Sequence, residues 1–303
     1  ASVQPRPYVG GKDILMLQSV VYISRINRIS RTVLGEAARA MAGMVRLTPS
    51  APLSSNAGAL PRPVSESEGS SAAASAGSKG ASPDRPLIAA TMFGVTTPCV
   101  QHAQKILEQA GYEVLVFHAT GNGGEAMEGL IADGLIAGVL DITTTELADE
   151  LVGGVLTAGP ARLTAAGKRG VPQVISVGAL DMVNFGPPNT VPEKFRDRKF
   201  YHLNPAVTRM RTPPDENAQL GAELARKASA STGPTALLLP LQGVSAIDRD
   251  GQPFDDPSAR KALYDAIREN GGQVELIELD AHINDPTFAE AAARKLLEML
   301  HAR

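Results

Sequence analysis

The chain has 303 residues, a formal net charge of −3 and 43% hydrophobic content, enough for one large or two modest domains with real cores. The near-neutral balance, the 4% aromatic content and the absence of tryptophan argue against a dedicated nucleic-acid binder, which needs a basic face or base-stacking rings. The single cysteine, Cys99, rules out an internal disulfide and a cysteine-rich zinc cluster, and no apolar run nears the ~20 residues that a membrane helix needs.

The opening "ASVQPRPYVGGKD" carries no basic region leading into an apolar stretch, so it does not read as a secretory signal, and it has no initiator methionine. The expectation is a soluble, cytoplasmic protein, processed or truncated. Residues 1–47 carry helical spacing. Leu34, Ala37, Ala38, Met41 and Ala42 form an i, i+3, i+4, i+7, i+8 stripe that needs a partner surface, and Gly43 marks a helix end. Residues 48–86 are dominated by Ser, Ala, Gly and Pro, with Leu53, Leu60 and Val64 as their large apolar groups. Such a segment buries too little to offset its ordering entropy and reads as a flexible linker.

Residues 87–303 alternate strand and helix patterns. "PLIAATMFG", "YEVLVFHAT", "LIAGVLDIT", "PQVISVGAL", "TALLLPLQG" and "QVELIELDAH" are short apolar runs of the kind covered on both faces. Helical segments follow each, beginning at Thr, Asp or Pro and mostly ending near glycine. "KFYHLNP" reads as a short extra strand. The alternation predicts an α/β fold with a doubly wound, mainly parallel sheet, Rossmann-like, with helices on both faces.

In such a sheet, ligands sit beyond the carboxyl ends of the strands, so the post-strand segments are the places to look. "GNGGEA" fits the dinucleotide pattern G-x-G-x-x-A through Gly121, Gly123 and Ala126, with Asp141 twenty residues on, where a ribose-binding acid belongs. The fingerprint normally follows the first strand of its unit, and here it follows the second. The loop also fits a general anion site made by backbone N–H groups at a helix start, or a tight turn into a capped helix. Glu125 and Glu128 already complement that helix's dipole. No Walker lysine is present.

Thr96 and Thr97 precede one helix, and Thr143, Thr144 and Thr145 precede another. Thr143 with Glu146 has capping-box spacing, which leaves surplus hydroxyls for a ligand. The candidate ligand-binding set is therefore Thr96, Thr97, Gly121, Gly123, Gly124, Glu125, Asp141, Thr143 and Thr144. His118, His282 and Asp181 are candidate catalytic groups at strand ends. With His202 and Asp280 they have no spacing diagnostic of a metal, and no metal is assigned. Arg209 and Arg211 in "TRMRT" suit a carboxylate or phosphate clamp or a solvated surface equally. Cys99 sits just inside a helix start and reads as a buried, inert thiol. "DRDGQPFDDP" lacks the order of a calcium loop and reads as a rim turn.

"PYVGGKDILML", "AMAGMV", "FHATGNGGEAMEGLI" and the run "GVLDITTTELADELVGGVLTAGPARLTAAGKRGVPQVISVGALDMVNFG" together resemble the Tm-one-like ATP-binding family, whose members include bacterial proteins and a plant tobamovirus-resistance protein. The resemblance implies two α/β domains facing a shared cleft, with ATP bound by the first. Most of that first domain, with its glycine-rich nucleotide loop, is expected to be missing here. Val3, Gln4, Tyr22 and Arg25 depart from the pattern, and the histidine of "YHLNP" is shifted by one place. The glycine loop, the threonines and Asp141 match the family's second domain, so they are expected to line the cleft against a polar or phosphorylated ligand. The implied partners are a small molecule and either a second copy or a separate chain supplying the first domain. Two alternatives remain open: a degenerate interaction module without a ligand, and a dinucleotide-dependent oxidoreductase.

Overall fold

The computed structural model describes residues 28–46 and 85–302. The linker residues 48–84 and the departures at Val3, Gln4, Tyr22 and Arg25 lie outside them.

Six strands form one parallel sheet: β1 (Leu87–Met92), β2 (Glu113–His118), β3 (Gly138–Thr143), β4 (Gln173–Gly178), β8 (Thr235–Pro240) and β9 (Glu275–Leu279). They lie in the order β2-β1-β3-β4-β8-β9. Every residue of β1, β3 and β4 is buried, whereas in β9 Glu275 and Glu278 are exposed and Leu276, Ile277 and Leu279 are half-buried. The continuous apolar runs "LIAATM" and "QVISVG" therefore mark central strands, and "ELIEL", with Glu275 and Glu278 outward, marks an edge.

Side-chain alternation along each strand sends one set of residues to each face. Ile88, Ala90 and Met92 meet one helical layer, made by α2 (Thr97–Gln109) and α8 (Pro286–His301), through Val100, Leu107, Phe288 and Leu296. Leu87 and Ala89 meet the other layer through Met127 and Ile131 of α3 (Asn122–Ala132) and Ala166 of α5 (Ala165–Arg169). On that second side, β4 and β8 are covered by α6 (Pro214–Ser229) and α7 (Pro257–Asn270), using Leu220, Leu224, Leu263 and Ile267. A short α4 (Glu146–Val152) follows β3 and ends at Gly153 with φ +93°, the left-handed residue expected at a helix terminus. Asp256 caps α7, accepting from the Ser258 and Ala259 amides at 3.1 and 3.0 Å. The expected doubly wound α/β fold is present.

Sequence reading did not anticipate the second sheet. β5 (Met182–Phe185), β6 (Phe200–Asn204) and β7 (Val207–Arg211) form an antiparallel sheet in the order β5-β7-β6. It is inserted between the fourth and fifth strands of the large sheet. "KFYHLNP" is one of its edges, and "TRMRT" lies in its central strand. It packs near the carboxyl edge of the large sheet, where Phe93, Val95, Ala179, Met182, Ile247 and Phe254 form a separate apolar cluster with Tyr201.

The helix α1 (Arg28–Arg46) runs past Gly43, which therefore does not end it. A helical glycine costs roughly 1 kcal/mol relative to Ala, too little to force a stop. Ile29 joins the core beside α3, and the Arg28 amide donates to Glu113 Oε1 at 2.8 Å. The stripe beyond is bare, with Leu34 48% and Met41 54% exposed.

Candidate functional site

The strand order turns back between β1 and β3, so the topological switch point lies at their carboxyl ends. A buried polar cluster occupies it. Thr91 Oγ1 donates to Asp141 Oδ1 at 2.7 Å and accepts from the Thr143 amide at 2.9 Å. The Thr96 and Thr143 hydroxyls are 2.8 Å apart. At the centre is Arg162, whose side chain is wholly buried. Its Nη1 and Nη2 take the two Asp141 oxygens at 2.6 and 2.7 Å, its Nε takes Glu146 Oε2 at 2.6 Å, and the remaining N–H groups reach Glu128 Oε1 and the Thr143 carbonyl at 3.3 Å. All five guanidinium N–H donors thus have acceptors. Burial works against this cation, and the charges of Asp141 and Glu146 more than offset it, holding it well above its ordinary pKa.

The glycine loop is already filled. Glu146 Oε1 accepts from the amides of Gly121 at 2.7 Å and Gly124 at 3.1 Å. The anion over these N–H groups is a carboxylate of the same chain. The capping box expected from Thr143 and Glu146 does not form: Thr143 is the last residue of β3, and Glu146 turns away from its own helix to reach the loop. Each glycine is required by close approach. At Gly123 an added Cβ would collide with the His118 carbonyl oxygen, and at Gly124 with the Glu146 carboxylate. Gly121 has φ +84° and faces the Thr157 carbonyl. Glu125 is exposed. Glu128 accepts from the amides of Leu163, Thr164 and Ala165 at 2.7, 3.2 and 2.7 Å, tying α3 to the start of α5.

The structure therefore brings Thr96, Gly121, Gly124, Asp141 and Thr143 into one interior network. Thr97 donates to the Phe93 carbonyl at 3.1 Å and Thr144 to the Ser176 carbonyl at 3.0 Å.

A second group lies beneath the small sheet. Arg211, 5% exposed, donates to the carbonyls of Phe254, Asp181 and Thr212 and pairs with Asp248 at 3.3 Å. Asp248 also pairs with Arg260 at 2.8 Å. "DRDGQPFDDP" is thus anchored by ion pairs, with Asp255 joining Arg260 at 2.9 Å. Ser245 Oγ donates to Asp181 Oδ2 at 2.8 Å, while Asp181 Oδ1 is buried without a partner. Burial, then the neighbouring Asp248, raises the Asp181 carboxyl to about 7. His282 is also buried. Its Nε2 lies 2.9 Å from the Ser245 carbonyl and its Nδ1 accepts from the Asn284 amide at 3.1 Å. That pattern fixes the Nε2–H tautomer and engages both nitrogens within the fold.

Arg209 differs from both arginines above. It is 4% exposed, so the solvated alternative for "TRMRT" does not apply. Its guanidinium carbon lies 5.2 Å from the centroid of the Phe93 ring, and its buried Nε has no hydrogen-bond partner. Burial lowers its pKa, with Asp181 and Tyr201 acting in the opposite direction. His118, half-buried at the end of β2, lies against the same ring, with centroids 5.5 Å apart. Burial lowers the pKa of His118, which favours the neutral imidazole. The sequence offers Arg209 and Arg211 together as an anion clamp or as surface residues, and His118 as a candidate catalytic group at a strand end. It has no signal for Phe93, which links Arg209 and His118.

Among the described residues, no group of three or more His, Cys, Asp or Glu is placed to hold a metal ion, and no helix is long and apolar enough to cross a membrane. Cys99 is buried, and that burial pushes its thiol up to about 12.

Fold and site together define a doubly wound α/β domain with a sealed ionic cluster at its switch point and, at the same edge, an arginine whose Nε has no partner among the described residues. The chain belongs to the uncharacterised protein family UPF0261: the model of the family's C-terminal domain matches residues 85–300, and that of its N-terminal domain matches residues 1–50. A UPF0261 protein of Clostridium tetani is 49% identical over 302 residues, covering 99% of this chain and 68% of the relative. One from Mesorhizobium japonicum is 43% identical, covering 97% and 67%. The tomato ToMV resistance protein Tm-1(GCR237) is 41% identical over 304 residues, covering 99% of this chain and 37% of the tomato protein. The chain thus spans about two thirds of the bacterial relatives' length and much less of the plant one. Among solved structures, the esterase domain of a Rhodothermus marinus protein aligns at TM-score 0.36 and 15% identity over 70% of this chain and 83% of that one, a likeness too slight to carry any argument.

Proposed function

We propose that this domain binds a small anionic ligand, a nucleotide or another phosphorylated molecule, at the carboxyl edge of the parallel sheet, with Arg209 as the anion contact. The observation that carries this reading is the largely buried Arg209 side chain, whose Nε has no hydrogen-bond partner among the described residues. A buried charge is retained when something compensates it; Phe93 supplies a ring face and Asp181 a favourable charge, and neither fills the Nε donor. A phosphate or carboxylate oxygen would supply the rest. Phe93 offers a flat apolar neighbour for a base or sugar ring, and His118 is the candidate group for proton transfer to a bound ligand.

Asp141, Glu146, the threonines and the glycine loop serve in this reading as the rigid floor that fixes Phe93 and His118. A dinucleotide reading is disfavoured, because a ribose hydroxyl would have to displace Arg162 from Asp141. ATP is the first ligand to try, since the family resemblance associates it with the paired first domain, and the interdomain cleft remains part of this proposal. The bare stripe of Leu34 and Met41 on α1 favours a second reading, docking on a partner chain or a second copy, which sedimentation over a range of concentrations tests.

The main test is thermal denaturation of wild type and Arg209→Met with ATP, ADP, inorganic phosphate and sugar phosphates. A ligand at a hundred times its Kd stabilises the fold by about 2.7 kcal/mol. That shift should appear with at least one of these ligands in the wild type and be lost in the variant. A shift of equal size in both proteins, or none with any ligand, removes Arg209 as the anion contact.

A further inference from the structure

The central strand of the small sheet presents its two faces to different surroundings. Arg209 and Arg211 point to the carboxyl edge of the parallel sheet. By the two-residue alternation of a strand, Thr208 and Met210 point the other way. Met210 enters the apolar core. Thr208 instead lines an open-mouthed cavity of about 210 Å³.

The walls of this cavity are apolar and aromatic. Phe200 and His202 stack with near-parallel rings, their centroids 6.4 Å apart. Pro188, Val191 and Pro192 form more of the lining. Of the lining residues, exposed Arg196 and Glu193 pair with each other at 3.2 Å, and Arg196 also meets Asp197 at 3.5 Å, so the lining's one cation and one anion balance and the arginine is met locally. Thr208 is 0% exposed, and its Oγ1 has no hydrogen-bond partner. A buried hydroxyl left unpaired is costly, which makes such a group exceptional in a folded protein. Thr208 lines this cavity among apolar and ring side chains, with Glu193 and Arg196 as its charged members.

We propose that this cavity is a second binding site, for a neutral molecule with a single ring and one hydroxyl, carbonyl or amide group. Size sets the first limit: an engineered protein cavity of about 150 Å³ holds benzene, so this one takes a ring with a small substituent but not a nucleotide. The balanced lining removes any preference for a charged ligand. Thr208 supplies the directional contact, since a hydroxyl both donates and accepts. The ring stacks against Phe200 and His202, as aromatic pairs do at centroid separations of roughly 4.5–7 Å. This site is separate from the anion contact and does not depend on it, because the two lie on opposite faces of β7.

The test titrates phenol and benzamide into the full chain, followed by amide chemical shifts. Three variants accompany the wild type: Thr208→Val, Val191→Phe and Arg209→Met. Wild type should bind both probes saturably, with shifts centred on β6 and β7. Thr208→Val should weaken phenol about tenfold, the worth of one hydrogen bond of ~1.4 kcal/mol, while toluene, which has no hydroxyl, binds both proteins alike. Val191→Phe should fill the cavity and abolish binding with a native-like spectrum elsewhere, and Arg209→Met should bind phenol as the wild type does. The proposal is overturned if neither probe saturates at millimolar concentration. It is equally overturned if phenol binds wild type and Thr208→Val alike, the result expected when water alone satisfies the hydroxyl.

Discussion

The Glu146 carboxylate sits on the Gly121 amide at 2.7 Å, where a glycine loop at a helix start would otherwise hold an external anion. Its second oxygen is bound to Arg162 at 2.6 Å. One side chain therefore joins the loop after β2 to the cation behind β3. Replacing Glu146 with Leu leaves two loop amides and one guanidinium N–H without acceptors, all buried. Breaking a buried ion pair from one side typically costs 3–5 kcal/mol, and that is the loss expected in urea denaturation. A loss below about 1 kcal/mol, the range of an exposed pair, would mean that water reaches the cluster.

Gly123 and Gly129 lie in the same helix and separate two uses of glycine. At Gly123 a Cβ would meet the His118 carbonyl oxygen, which is backbone and cannot step aside, whereas nothing lies within 4 Å of one at Gly129. Gly123→Ala should fail to fold or lose most of its stability. Gly129→Ala should gain about 0.5–1 kcal/mol from helix propensity. Thermal melts of the pair decide the matter: equal effects in either direction would contradict this packing.

The sequence carried the parallel sheet because its strands are buried on both faces, and "LIAATM" and "QVISVG" show this without any three-dimensional knowledge. It carried the location of the polar cluster for the same reason, since strand ends are where ligand-sized crevices form. It could not carry the cluster's internal pairing. Arg162 lies in "GPARLTAAGKRG", a stretch that reads as a short helix, and nothing local marks it as the partner of Asp141, Glu146 and Glu128. The small sheet was invisible for a different reason. "MVNF" and "VTRMR" are only four and five residues long, and two arginines in a strand read as surface until the fold places them inside. Arg209 and Arg211 have the same residue type and face of β7, yet the carbonyls and Asp248 that satisfy one are supplied by residues 181, 212, 248 and 254.

Asp149 gives the fold a pH dependence that one substitution should isolate. Its carboxylate accepts from the Leu156 and Asn184 amides at 3.2 and 3.0 Å and from Asn184 Nδ2 at 2.8 Å. Burial outweighs these bonds and raises its pKa from 3.8 to about 7. The folded state therefore keeps a proton that the unfolded chain releases above about pH 4, so this group's contribution to stability falls as pH rises from about 4 to 7 and is level outside that window. Asn184 Oδ1 is buried without a partner. Turning that amide over lets Oδ1 accept from the protonated carboxyl. Asp149→Asn mimics the protonated form and should match wild type near pH 4, then exceed its stability by a few kcal/mol at pH 8. Parallel curves for the two proteins from pH 4 to 8 would show that Asp149 ionises freely in the fold.

Arg162 and Arg209 are both buried and should respond in opposite ways to the same change. Arg162→Met removes the counter-charge from Asp141, Glu146 and Glu128 together and leaves three carboxylates facing one another out of water. The expected result is a loss at least as large as that of Glu146→Leu. Arg209→Met removes a cation that has ring contact with Phe93 but no hydrogen-bonded acceptor at its Nε. The methionine keeps much of the apolar stem, and without ligand the fold should hold its stability or gain about 1 kcal/mol, because an unsatisfied buried polar group costs about 1–3 kcal/mol. Groups that stabilise a fold and groups that wait for a ligand differ in this respect: removing the second kind costs binding, not stability. If ligand-free Arg209→Met unfolds as readily as Arg162→Met, then Arg209 is a structural residue and the anion site must be sought elsewhere on the edge.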